Sequence, residues 1–156
     1  MKKFAIFLLV VLALFITISL ISSMQRNERS EGNPYGKKSL KPATIGQLKD
    51  PNYQNLILPD ELSKKLKDHE NTVVYFYSPD CKECIKTTPV VAPLAEKMGI
   101  DLVQYNLLEF QSGKEKYHIE SAPAVIYYKN GVEQDRITGY NGEKAYMKWF
   151  QKNKIE

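Results

Sequence analysis

The chain has 156 residues, 43% hydrophobic and 26% charged, a composition that suits one globular domain with its own core and excludes disorder throughout. Its net charge of +4 is modest; beyond Lys2 and Lys3, 20 basic residues face 18 acidic ones, and no basic run is interleaved with aromatics, so nucleic acid is not an expected partner.

The first departure from ordinary composition is Phe4 to Ile21, eighteen uncharged residues after Lys2 and Lys3. A helix of roughly 20 such residues crosses a bilayer. A cleavable signal peptide would end in a small-x-small site, and Ser19-Leu20-Ile21-Ser22-Ser23 offers a poor one, so an uncleaved anchor over residues 1–22 is expected. Arg26, Arg29, Lys37, Lys38 and Lys41 offset the Lys2/Lys3 bias in orientation. The large domain that follows the first apolar segment is nevertheless expected outside the cytoplasm, at the cell membrane, or secreted if the segment is cleaved. Residues 23–44, with Gly32, Pro34, Gly36 and Pro42 and no apolar period, read as a flexible polar linker without chemistry, and residues 45–156 as the domain.

Within the domain, Asn52 to Leu58 suits a short first strand. Pro59 to Leu66 has proline and acids in its first turn and leucines four apart, the pattern of an amphipathic helix. Val73 to Tyr77 is a continuous apolar strand of the kind buried on both faces. The next helix, Lys82 to Met98, contains Pro89 and Pro93 and stops at Gly99; a kink is expected near Pro89, where a hydrogen bond is lost. Ile100 to Asn106 alternates as a strand and Ser112 to His118 suits a short polar helix. Ala124 to Tyr128 and Val132 to Thr138 are strands joined by Lys129-Asn130-Gly131, a hairpin turn signal. Glu143 to Lys152 places Ala145, Tyr146, Trp149 and Phe150 on one helical face. Right-handed crossovers then put helices on both faces of the sheet.

The chemistry-bearing stretch is Tyr75-Phe76-Tyr77-Ser78-Pro79-Asp80-Cys81-Lys82-Glu83-Cys84, which contains both cysteines of the chain. It places Cys81 where a strand turns into a helix, whose free N–H groups and positive dipole end favour a thiolate. Cys84 falls nearly one turn later on the same side, within bridging distance. A C-x-x-C pair in this setting points to thiol–disulfide exchange. Two other readings stand beside it. A purely structural bridge would close too short a loop to constrain the unfolded chain much. A zinc site needs three or four protein ligands, and beyond the two cysteines there are only the distant His69 and His118, so no metal is expected.

From about Asn52 to Lys152 the sequence resembles the thioredoxin superfamily. Cys81-Lys82-Glu83-Cys84 occupies the place of the family's C-x-x-C, Pro89 that of its helix proline, Ser121-Ala122-Pro123-Ala124 that of its cis-proline loop, and Lys129-Asn130-Gly131 with Gly139 that of its closing hairpin. The anchor and the two-cysteine count look most like the small extracytoplasmic thiol–disulfide oxidoreductases (Bdb type) of Gram-positive bacteria.

The resemblance implies an α/β, thioredoxin-like three-layer fold, with a mixed central sheet, helices on both faces and an N-terminal transmembrane helix before it. It also implies Cys81 and Cys84 as catalytic residues and redox-active disulfide, and Ala122 and Pro123 as the substrate-binding loop, Pro123 in cis and the Ala122 backbone facing an incoming peptide. No cofactor is implied. The partners implied are exported proteins with thiols or disulfides and a membrane redox partner that recycles the pair.

The sequence departs from the family at three places: Asp80 precedes Cys81, Lys82-Glu83 separates the cysteines, and Tyr75 stands where the family has a buried acid that assists the second cysteine. A phenol titrating near 10 is a poor base at neutral pH, so oxidation of substrates is the preferred direction. The rivals are a dedicated reductase, for example in cytochrome c maturation, a noncatalytic peptide-binding module, and copper delivery, which lacks a methionine or histidine near the cysteines.

Overall fold

In a computed structural model, which describes residues 2–30, 32–153 and 155, the sheet is built of four strands in the order β2-β1-β3-β4. They are β1 (Thr72–Tyr77), β2 (Leu102–Asn106), β3 (Ala124–Lys129) and β4 (Val132–Thr138). β1 runs parallel to β2 and antiparallel to β3, which pairs antiparallel with β4, so the sheet is mixed. Among the described residues six α-helices accompany it: α1 (Lys2–Ser30), α2 (Pro42–Gln47), α3 (Pro59–Lys67), α4 (Lys82–Lys97), α5 (Ser112–Lys116) and α6 (Glu143–Lys152).

Side chains alternate across a strand, and β1 shows what each face receives. Val73, Tyr75 and Tyr77 point to one side, where Val91, Leu94 and Ala95 of α4 and Tyr146, Trp149 and Phe150 of α6 cover them. Val74 and Phe76 point to the other, against Leu62 of α3 and Tyr117, with Tyr105 of β2 and Ile126 of β3 alongside. Every residue of β1 is buried, as its unbroken apolar run requires. Helices on both faces make the three layers expected of a thioredoxin-like fold.

The signals that end each element are the ones the residues supply. Pro59 opens α3, and the Leu58 N–H donates to Glu61 Oε2 at 2.8 Å. Gly99, at φ +71°, ends α4, and the Ile100 N–H reaches back to the Ala95 carbonyl at 2.9 Å. Asn130 and Gly131 both have positive φ, the geometry that matches a tight hairpin to the twist of its strands. Gly131 has a second reason to lack a side chain, because a Cβ there would sit 2.0 Å from the Leu66 carbonyl oxygen.

Two expectations fail. The first strand is reduced to a single parallel bridge between Leu56 and Gln104, preceded by a 3-10 turn at Pro51–Tyr53 that Asp50 caps. Pro51 and the Asp50 side-chain bond to the Asn52 N–H, 2.9 Å, favour the turn over extension. The second failure concerns the tether. α1 extends to Ser30, and from Asn33 the chain is packed on the domain instead of free. Tyr35, Leu40 and Thr44 are buried, and Pro42 opens α2. Within α1, Ile6–Gln25 is apolar and long enough to cross a bilayer, a length that a signal sequence also has. Among the described residues, none buries it.

Candidate active site

β1 ends at Tyr77, and Ser78-Pro79-Asp80 turns the chain so that Cys81 becomes the N-cap of α4. The turn is held by the Cys81 N–H donating to the Ser78 carbonyl at 3.1 Å and by a short bond from the Ser78 hydroxyl to Asp80. Cys81 has the extended backbone of a capping residue, and the Cys84 N–H donates to Cys81 Sγ at 3.2 Å. An orphan donor of the first helical turn is therefore spent on sulfur. Negative charge developing on that sulfur meets a directed N–H and the positive end of the helix dipole.

The two cysteines, both free thiols here, lie in different surroundings. Cys81 is half-buried, whereas Cys84 is 1% exposed, behind Cys81 and under the sheet. Burial pushes the Cys84 thiol well above its ordinary range, and its hydrogen bond with Cys81 pushes the same way. The Ser78 N–H, 3.5 Å from Cys84 Sγ, opposes the shift. An electrophile arriving from solvent thus meets Cys81 first, and Cys84 is placed to attack whatever becomes bonded to it.

The Ala122–Pro123 bond is cis, as expected, and the loop stands over the sulfur: Cys81 Sγ lies 3.5 Å from the Ala122 carbonyl oxygen. The Gly139 N–H donates to the Pro123 carbonyl at 2.8 Å and fixes the loop from the far side. Ala122 is half-buried and Pro123 buried, which leaves the alanine backbone at the rim. The structure therefore brings Cys81, Cys84, Ala122 and Pro123 into one cluster at the end of β1. Glu83 is exposed, its carboxylate lies near Gly139, and its negative charge adds to the upward push on the Cys84 thiol. His69 and His118 are exposed outside the cluster.

Behind Cys84 lies a set of hydroxyls that the sequence reading did not assemble. Tyr75 Oη is 3.0 Å from Thr88 Oγ1 and 3.4 Å from the Cys84 carbonyl, and the Thr88 hydroxyl donates to that carbonyl at 2.9 Å. Thr88 sits four residues after Cys84, one turn on, so its side chain folds back onto the Cys84 carbonyl. Helix spacing could have flagged it. Tyr77 stacks on Tyr75 with ring centroids 5.5 Å apart. Burial drives the Tyr75 phenol far above its ordinary value, so it stays protonated. Among the described residues, Cys84 is thus backed by neutral hydroxyls and backbone groups rather than by a carboxylate.

The thioredoxin family model matches residues 54–152. The chain belongs to the thioredoxin family. A thioredoxin of Rickettsia bellii (strain RML369-C) is 26% identical over 90 residues, covering 56% of this chain and 86% of that protein. Protein disulfide-isomerase A5 of Mus musculus is 27% identical over 100 residues, covering 59% of this chain, which spans only 19% of that protein. Among solved structures, a mutant thioredoxin from Halobacterium salinarum NRC-1 shares the fold at a TM-score of 0.54 and 22% identity, over 65% of this chain and 91% of its own. The thioredoxin-family region includes both cysteines, the cis-proline loop and the closing hairpin. By this membership the chain is, in general terms, a thiol–disulfide oxidoreductase.

Proposed function

We propose that this protein is a membrane-tethered, extracytoplasmic oxidoreductase of the Bdb type that passes a Cys81–Cys84 disulfide to thiols of exported proteins. The observation that carries the reading is the placement of Cys81: half-exposed, at the first turn of α4, under the Ala122 carbonyl that precedes cis Pro123.

A substrate thiolate attacks Cys81 Sγ of the bridged form. The Cys81–Cys84 bond breaks, its electron pair leaves on Cys84, and a mixed disulfide forms. A second substrate thiolate then attacks the substrate's own sulfur in that bond and expels Cys81 as thiolate, the terminus that α4 stabilises. The substrate loses two electrons and the pair gains them; a membrane redox partner removes them to restore the bridge. The substrate backbone lies along Ala122 as an added strand.

The preference for oxidation rests on Cys81. The Cys84 N–H and the first turn of α4 face its sulfur, which favours the reduced pair and so makes the bridge the better electron acceptor. An oxidising compartment outside the cytoplasm, reached through α1, keeps such a bridge formed.

Equilibration of the purified chain with glutathione tests the direction. A potential near or above about −150 mV fits an oxidase, and one near about −270 mV assigns the protein to the reductases instead.

A further inference from the structure

Glu109 is a buried carboxylate that the exchange chemistry does not use. Its side chain is 2% exposed, and its partners come from the segment expected to be a free tether. Lys37 Nζ lies 3.1 Å from Glu109 Oε2 and also bonds the Glu109 carbonyl, and the Lys41 N–H donates to Oε1 at 2.8 Å. The same segment sends Tyr35 under the sheet. Its hydroxyl accepts from Asn106 Nδ2 at 3.1 Å and lies 3.3 Å from the hydroxyl of Tyr77. Asn106 also reaches Thr44 Oγ1 at 3.4 Å.

These contacts fall at one place. Tyr77 ends β1, Asn106 ends β2, and the two are register partners, so the segment crosses the C-terminal ends of the parallel strands. Cys81 emerges from that same edge, four residues beyond Tyr77. The chain that leaves α1 is therefore fastened to the catalytic edge of the sheet and not to the opposite one. Only Glu31 and Gly32 separate α1 from Asn33. From the end of the apolar stretch at Gln25, five helical steps and five further residues place Tyr35 within about 25 Å, whereas a free tether over 23–44 would let the domain range to about 75 Å. Lys38 and Lys41 are exposed on this segment, suited to anionic lipid headgroups.

We infer that Asn33–Gln47 is a rigid strap that holds the Cys81 edge at the bilayer surface, so that the pair exchanges with cysteines of membrane-embedded proteins in preference to proteins diffusing free. The inference rests on the membrane-tethered reading above.

The full chain, reduced and reconstituted in phosphatidylcholine–phosphatidylglycerol vesicles, tests it with two probes. One is a pyridyl disulfide carried on a phosphatidylethanolamine headgroup; the other is its water-soluble headgroup analogue. Cys81 thiolate attacks the probe sulfur and expels thiopyridone, which is read by absorbance; Cys84 then closes the bridge and releases the probe thiol, two electrons passing from the pair to the probe. The lipid-borne probe is expected to react faster than the soluble one at equal total concentration. A Gly-Ser insertion of about 30 residues after Gly32 is expected to lower that advantage roughly tenfold while leaving the soluble rate unchanged, because effective concentration falls with tether length. Equal lipid-borne rates with and without the insertion, or a lipid-borne probe left intact while the soluble one reacts, would overturn the strap. A chain that does not stay with the vesicles would overturn the tether beneath it, and one inert to both probes would overturn the exchange chemistry.

Discussion

Two corners at the same edge of the sheet are stabilised in opposite ways. Beyond β1, Cys84 is buried near hydroxyls and a backbone N–H, and among the described residues no opposite charge favours its thiolate. Beyond β2, Glu109 is also buried and is met by the Lys37 ammonium and the Lys41 N–H. Burial costs an ionised group solvation, and a partner returns it. The strap corner holds a paired charge and is structural, whereas the cysteine corner keeps its inner sulfur protonated and leaves reactivity to Cys81, one turn nearer the solvent.

The largest effect expected from separating the corners is on chemistry. Cys81→Ser should drop exchange with a peptide disulfide to the uncatalysed background while the fold, followed by circular dichroism, stays intact. Lys37→Met should do the reverse. It strips Glu109 of its cation and should cost about 2 kcal/mol in urea unfolding, a figure discounted because about a third of the Lys37 side chain meets water, with exchange in solution unchanged.

A pH series sharpens the difference further. The folded Cys84 thiol titrates above its unfolded value, so its contribution to stability is complete below about pH 8.5 and is lost as pH rises beyond that. The reduced protein should therefore lose stability above pH 8.5 by up to about 1.4 kcal/mol per unit more than the bridged form, which has no thiol to titrate. Denaturant midpoints of the two forms across pH 7 to about 10 measure it; parallel curves would count against an uncompensated Cys84. The smallest effect belongs to Tyr75→Phe, which removes a hydroxyl that bonds Thr88 and the Cys84 carbonyl but not sulfur. It should cost about 1 kcal/mol and leave the exchange rate within a factor of about two.

Most of the cysteine corner was legible because its signals are local. An apolar run, a Ser-Pro-Asp break and two cysteines three apart set the strand, the turn and the cap with little help from distant residues. The cis bond before Pro123 followed from the resemblance, since nothing in Ser121-Ala122-Pro123 distinguishes cis from trans. The strap was illegible for the opposite reason. Tyr35, Leu40 and Thr44 are single buried residues among prolines, glycines and lysines, with no helical or strand period to join them. The hydrogen-bond partners of Tyr35, Lys41 and Thr44, which are Asn106 and Glu109, lie more than sixty residues away. The one available hint was an acid set in Leu107-Leu108-Glu109-Phe110, a place where a lone carboxylate calls for a partner. The lost first strand has a plainer cause: Asp50 and Pro51 favour a capped turn, which leaves one bridge at Leu56.

The most direct test of the central claim is trapping in cells that express the full chain with Cys84→Ala. That variant should accumulate mixed disulfides through Cys81, removed by dithiothreitol and absent when Cys81→Ser is added. If adducts fail to form, or persist without Cys81, then the half-exposed sulfur under Ala122 is not the group that exchanges with other proteins.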